Sequence, residues 1–174
     1  MAVNPKGKVP ALVVDGTVIT ENVSILSWLN ETYPEANLLP KTDSSFDHYV
    51  QMGDISFVSG TFHPFVTRIA MPMKFAKSKE AVAEVKQAAI EEVRPYAELI
   101  NDRYANNTWW HGDQWSIMDA YIFWAWTRMV GEGFPEEDYP HVVDLCKRIQ
   151  ERPSVQRTMQ REAEYTAVLE KEAS

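Results

Sequence analysis

The sequence predicts a mostly α-helical protein with a small β-hairpin and one helix at its front. Three observations predict it. Asp15-Gly16 stands between two β-branched runs; helical periodicity sets in after Thr20 and persists almost to the C-terminus; and Ile117 to Trp126 is apolar on nearly every side. A helix apolar all round belongs at the centre of its domain. With 174 residues, 45% of them apolar and 24% charged, the chain is too hydrophobic for disorder and long enough for one substantial core.

Val9 to Thr20 reads Val-Pro-Ala-Leu-Val-Val-Asp-Gly-Thr-Val-Ile-Thr. An Asp-Gly pair supplies the two positive-φ residues of a type I′ turn, which places strands at 11–14 and 17–20. A helix follows at once. Thr20, Glu21 and Asn22 offer capping side chains, and Ile25, Leu26 and Leu29 form its apolar stripe. Pro34 ends it, and 34–45 reads as a linker. The sequence therefore divides into 1–33, the linker 34–45 and an all-helical 46–174.

Phe46 to Ala70 is expected to be one long helix kinked at Pro64. Ser78 caps the next run, Lys79 to Asn106, in which Pro95 either interrupts one helix or separates two. Further helices are expected over 116–130, 140–152 and 154–171. Ser116 and Asp119 have the spacing of a capping box, with Asp in place of Glu. A buried helix start needs such an internal cap, because water cannot reach its first N–H groups. Substituting either residue by Ala is expected to cost about 1 kcal/mol or more.

The charge balance, 17 basic against 25 acidic residues, argues against a nucleic-acid partner. The longest apolar run is far shorter than the ~20 residues a bilayer requires, and the N-terminus has no signal-peptide core. A single cysteine, Cys146, fits a reducing compartment, so a cytoplasmic location is expected. Cys146 shares a helical stripe with Val142, Leu145 and Ile149 and reads as a packing residue. The four histidines show no metal-ligand spacing, and no metal is expected. Trp109 and Trp110 read as core or junction residues, and 162–174 as a solvated helix end.

Asn4-Pro5-Lys6-Gly7-Lys8-Val9-Pro10-Ala11-Leu12, with Thr20-Glu21-Asn22, resembles the glutathione-binding half of cytosolic glutathione S-transferases. Gly112-Asp113-Gln114-Trp115-Ser116-Ile117-Met118-Asp119 resembles the capping-box motif of that family's helical domain, and Arg152-Pro153-Ser154-Val155 a helix junction near its C-terminus. The bacterial, beta-like branch is the nearest in pattern. The resemblance implies part of a thioredoxin-like domain followed by the all-helical C-terminal domain. It also implies glutathione as substrate, a hydrophobic electrophile as co-substrate and a homodimer.

In that family the residue before a cis-proline pairs its backbone with the cysteinyl unit, which here assigns Val9 and Pro10. The γ-glutamyl carboxylate sits at a helix N-terminus, here Glu21-Asn22, with Asn in place of the usual Ser. Lys8 is placed to meet the glycyl carboxylate. His63 matches a histidine that faces the active site in beta-like members, and Phe62, Phe65, Arg68 and Ile69 are candidates for an electrophile pocket. A structural histidine beside a helix kink is the competing reading of His63.

No segment of the 174 residues matches the family's first β-α-β unit, which carries the group that stabilises the glutathione thiolate. A free thiol of pKa ~8.5 is only slightly ionised at neutral pH, so impaired conjugation is expected. A non-catalytic binding or assembly module is the alternative. A longer native protein is a further one, tested by its mass in the source cells. The strand at 11–14 is also expected to present an open edge, covered by a dimer partner, an exchanged segment or the linker.

Overall fold

The computed structural model describes residues 3–172. Expectations that touch Met1, Ala2, Ala173 and Ser174 lie outside the described residues. Strands β1 (Ala11–Val14) and β2 (Thr17–Thr20) form an antiparallel pair in the register Ala11–Thr20 to Val14–Thr17. Asp15 and Gly16 both have positive φ, 47° and 79°, as the hairpin signal requires. Helix α1 (Asn22–Thr32) follows, then a short 3-10 turn, Pro34–Ala36.

The connecting segment runs over the helical body rather than along β1. Leu39 is buried and its N–H donates to Asn30 Oδ1. Gln51 Nε2 donates to the Pro40 carbonyl, and the Ile117 N–H to that of Leu38, at 2.7 Å. The linker is thus spent elsewhere, and β1 pairs only with β2 among the described residues.

The helical body comprises α2 (Ser45–Ser56), α3 (His63–Ala70), α4 (Lys79–Asn106), α5 (Ile117–Gly131), α6 (Pro140–Gln150) and α7 (Pro153–Glu172). The expected single helix over 46–70 is two, joined by a wide π-helical turn at Phe57–Phe62. Pro64 stands just after it. A proline has no N–H for the carbonyl four residues back and its ring crowds that carbonyl, so a locally wider winding is one way to admit it. Pro95 behaves differently. Helix α4 runs through it for 28 residues without a break.

Helices α3, α4, α5 and α6 enclose the core. Ile55, Val58, Phe62, Ile69, Val93, Ile100, Met118, Ile122, Trp126, Met129, Leu145 and Ile149 are all essentially inaccessible. Each such large apolar side chain contributes about 1.5–3 kcal/mol relative to exposure. Trp126 meets Phe134 and Tyr139 edge-on at 5.4 and 5.3 Å. Trp110 belongs to this core, stacked on Phe57, and Trp109 is partly buried beneath Arg148.

Asp119 is fully buried, and its carboxylate does more than cap α5. Oδ2 accepts from the Ser116 N–H and hydroxyl at 2.8 and 3.0 Å. Oδ1 accepts from the Trp110 N–H at 2.7 Å and the Tyr104 hydroxyl at 2.9 Å. One carboxylate therefore ties the start of α5 to the preceding loop and to α4. This answers the desolvation cost that an unpartnered buried charge would carry.

Candidate functional site

The loop before β1 is shaped by one buried asparagine. Asn4 donates from Nδ2 to the Lys8 carbonyl at 2.7 Å and accepts from the Lys6 N–H at 3.0 Å. Its own carbonyl accepts from the Gly7 N–H. Gly7 has φ 63°, a conformation that glycine adopts without a Cβ penalty. The Val9–Pro10 peptide bond is cis. Val9 is 92% exposed, and neither its N–H nor its C=O is paired among the described residues.

At the other end of the hairpin, Glu21 holds φ 70° and ψ 133°. A non-glycine residue here costs of order 1–3 kcal/mol, and such residues cluster at ligand sites. Lys6 Nζ holds the Glu21 carboxylate at 2.7 Å and reaches the Thr20 hydroxyl at 3.2 Å. The expected capping of α1 by these side chains does not occur: no side chain accepts from its first-turn N–H groups. Asn22 is turned away from them. Its Nδ2 donates across to the helical body, to the Tyr121 hydroxyl at 2.6 Å.

Tyr121 is the centre of a three-residue chain. Its oxygen also lies 2.8 Å from His63 Nδ1. A phenol has one proton to give. With Asn22 donating to the oxygen and no other acceptor for the hydroxyl among the described residues, that proton goes to His63 Nδ1. His63 is then the tautomer protonated at Nε2. Burial holds its imidazole below the ordinary value and so favours the neutral ring. Burial likewise raises the Tyr121 phenol, with the Asn22 bond opposing it. The Trp124 ring packs against His63 at 4.6 Å.

These elements open onto a cleft of about 670 Å³ between the loop before β1, helix α1 and the helical body. Lys8, Val9, Pro10, Asn22 and His63 all line it. Glu21 does not, being turned out to Lys6. The helical wall is Val66, Thr67, Ala70 and Met71 from α3 and its end, and Ile117, Ala120, Tyr121, Trp124 and Arg128 from α5.

The four electrophile-pocket candidates lie elsewhere. Phe62 and Ile69 are sealed in the core, Phe65 packs on Tyr96, and Arg68 lies over Phe65 and Phe75. The reason is helical phase. Positions i, i+3, i+4 and i+7 share a face, so the stripe of His63 is Val66, Thr67 and Ala70. The same arithmetic on α5 gives Ile117, Ala120/Tyr121, Trp124 and Arg128. Read residue by residue, that helix looked apolar all round, but Trp124 is 38% exposed.

Two other groups prove structural. Burial and the nearby Glu136 push the Cys146 thiol up to about 12, which leaves no thiolate for chemistry. His111 Nδ1 lies 3.8 Å from Asp54, yet burial outweighs that carboxylate and lowers the imidazole, so the contact is not an ion pair at neutral pH. Among the described residues, no group of His, Cys, Asp and Glu is arranged to hold a metal ion, and no helix is long and apolar enough to cross a membrane.

A cis-proline bend, an uncapped helix start and a helical wall share one cleft, and comparison with known proteins gives the family of this arrangement. The glutathione S-transferase C-terminal domain family matches residues 62–153, and the N-terminal domain family matches residues 1–32. The chain is 29% identical over 160 residues to glutathione S-transferase GstA of Escherichia coli O157:H7, spanning 89% of this chain and 74% of that one.

Among solved structures, a sphingomonad glutathione S-transferase complexed with glutathione superposes with TM-score 0.81 at 30% identity, covering 93% of this chain and 77% of that one. The beta-class enzyme of Sphingomonas chungbukensis gives TM-score 0.80 at 31% identity, covering 92% and 77%. The protein belongs to the glutathione S-transferase family, on its beta-like branch. Its architecture is a partial thioredoxin-like unit followed by the helical C-terminal domain.

Proposed function

We propose that the cleft binds glutathione and that the protein's parent activity is addition of the glutathione sulfur to an electrophilic carbon of a hydrophobic co-substrate. The observation that carries this is the unpaired, exposed backbone of Val9 beside a cis-proline, lining the same cleft as His63. An extended peptide can add to such an edge as a further strand. The uncapped start of α1 offers N–H groups and a positive dipole end to the γ-glutamyl carboxylate. Lys8 supplies a charge for the glycyl carboxylate.

His63 would then meet the sulfur. Its Nδ1 is engaged by Tyr121, which leaves the Nε2–H as donor. A neutral imidazole stabilises a thiolate by hydrogen bonding and lacks the full charge of an imidazolium. On this reading conjugation proceeds at a reduced rate. The co-substrate occupies the apolar wall of Val66, Ala70, Met71, Ile117 and Trp124.

A homodimer and a cytoplasmic setting belong to the same proposal. Phe46, Tyr49 and Val50 are largely exposed on one face of α2, and Val13 and Val18 on the hairpin. A patch of this kind is characteristic of an interaction surface.

Retention on immobilised glutathione, together with conjugation of 1-chloro-2,4-dinitrobenzene, tests the proposal. Retention with slow turnover supports it. Retention without turnover would make the chain a binding module, and neither would sink it. Sedimentation velocity tests the dimer: a species of about 20 kDa alone at micromolar concentration would remove that part.

A further inference from the structure

The segment joining α3 to α4 differs in charge from the rest of the chain. Between Asp54 and Glu80 the sequence has no acidic residue, while Arg68, Lys74, Lys77 and Lys79 stand close together, in a chain of net charge −8. None of the four forms an ion pair among the described residues, although Lys6, Lys86, Arg94 and Lys147 all do.

The same segment exposes large apolar side chains. Met73 is 61% and Phe75 53% exposed. A closed turn holds this stretch in place: Pro72 is buried, the Lys74 N–H donates to the Met71 carbonyl at 3.1 Å, and the Phe75 N–H to that of Pro72 at 2.9 Å. Arg68 lies over the Phe75 ring at 5.8 Å, and Lys77 and Lys79 follow, both exposed. A single exposed apolar residue needs no explanation. Two on one tied turn, beside cations without ion-pair partners, match a surface that is apolar beneath and anionic above.

We propose that the turn at 72–79 docks on anionic lipid bilayers, with Met73 and Phe75 entering the headgroup boundary and Arg68, Lys77 and Lys79 against the lipid phosphates. Of the four cations only Lys74 lines the cleft, and neither it nor the cleft has a part in this surface. The acidic balance of the whole chain does not oppose docking, because charges more than about 8 Å from the bilayer are largely screened at physiological ionic strength. Glu80, next after Lys79, lowers the local charge and leaves it positive. An acidic protein is the competing occupant. Apolar side chains that stand out from a turn suit a deformable layer better than a rigid protein face.

The test is co-sedimentation of the full chain with vesicles of phosphatidylcholine alone and of phosphatidylcholine and phosphatidylglycerol in equal parts. Each cation near an anionic surface changes the partition about fivefold. The expected result is partition onto the mixed vesicles at least about tenfold above that onto neutral ones, declining as salt is raised. K77Q/K79Q should lose about 25-fold on the mixed vesicles. M73S/F75S should lose about tenfold. All four positions are exposed, and circular dichroism checks that each variant keeps its fold.

Equal partition onto the two kinds of vesicle, partition onto neither, or variants that bind the mixed vesicles as the unaltered chain does overturns the proposal. Binding to poly-glutamate with none to vesicles also overturns it, and would make the turn a dock for acidic protein. The assay contains no glutathione, so each of these outcomes leaves the glutathione reading where it stands.

Discussion

The Tyr121 hydroxyl sits where α1, α3 and α5 meet, bonded at once to Asn22 and His63. Its removal in Y121F leaves the ring packing in place and deletes both bonds. Each is worth about 0.5–1.5 kcal/mol net. His63 then loses the partner that fixes its tautomer. The expected outcome is a fall in kcat/KM of about threefold to tenfold, carried mainly by kcat, with a shifted acid limb in the pH–rate profile. An unchanged profile would separate Tyr121 from His63.

Histidine burial also sets a pH dependence of stability. His63 and His111 have folded-state values below the ordinary 6.5. The unfolded chain therefore binds more protons than the folded one between 6.5 and those lower values, and stability rises with pH through that window. The contribution is complete above 6.5 and is lost as pH falls through the folded values. Thermal midpoints measured from pH 7.5 down to 5 should decline, and H63Q should flatten part of that decline.

At the scale of elements, α3 presents two faces with opposite duties. Ile69 is sealed in the core, and Ala70, its neighbour, lines the cleft. I69A should cost about 2–5 kcal/mol of stability, measured by denaturant unfolding, while sparing ligand affinity per folded molecule. A70W should do the reverse.

The start of α5 is a second such element. D119A strands four donors: the Ser116 N–H and hydroxyl, the Trp110 N–H and the Tyr104 hydroxyl. A cap alone would be worth about 1 kcal/mol. Four lost partners raise the expected cost to about 3–4 kcal/mol, or roughly 10 °C in Tm for a chain of this size. A drop of only 2–3 °C would show that water replaces the carboxylate.

What was legible in the sequence follows from the range over which each signal acts. Asp15-Gly16 encodes its turn locally, and the structure has the required dihedrals there. Ser116 and Asp119 announced a capped start, but the Tyr104 and Trp110 partners of Asp119 come from elsewhere in the chain and left no local pattern. His63 could be placed on a helix, and the stripe of Val66, Thr67 and Ala70 lies at the i+3, i+4 and i+7 positions from it; the candidates Phe62, Phe65, Arg68 and Ile69 are at other phases of the same helix and so missed the cleft. Tyr121 passed as one more apolar position on α5, since its role depends on Asn22, 99 residues earlier in the chain.

At the scale of the whole molecule, the hairpin stands outside the main core. No residue of β1 or β2 belongs to the buried cluster, whereas α3, α4, α5 and α6 all contribute. A two-stranded pair of this length is marginal by itself. Its attachment runs through α1, by Val23 and Leu26 against the core and Asn22 on Tyr121. Amide exchange should therefore be fast over 11–20 and slow in the middle of α4 and α5. Saturating glutathione should slow the hairpin and leave α4 unchanged, because the proposed tripeptide would pair with the Val9 backbone. Equal protection of hairpin and core in the free protein would contradict the separation.

The wide turn at Phe57–Phe62 acts as a phase setter. Upstream of it, α2 turns Phe46, Tyr49 and Val50 outward; downstream, α3 turns His63, Val66 and Ala70 toward the cleft. A π turn holds about one residue more than an α turn, so a deletion there could close as regular helix, whereas one further residue inserted in the turn would rotate these faces against each other by up to about 100°. The exposed apolar face of α2 and the cleft-lining face of α3 are thus geared together by one loosened coil. An insertion there should scramble both without touching a residue that either of them uses.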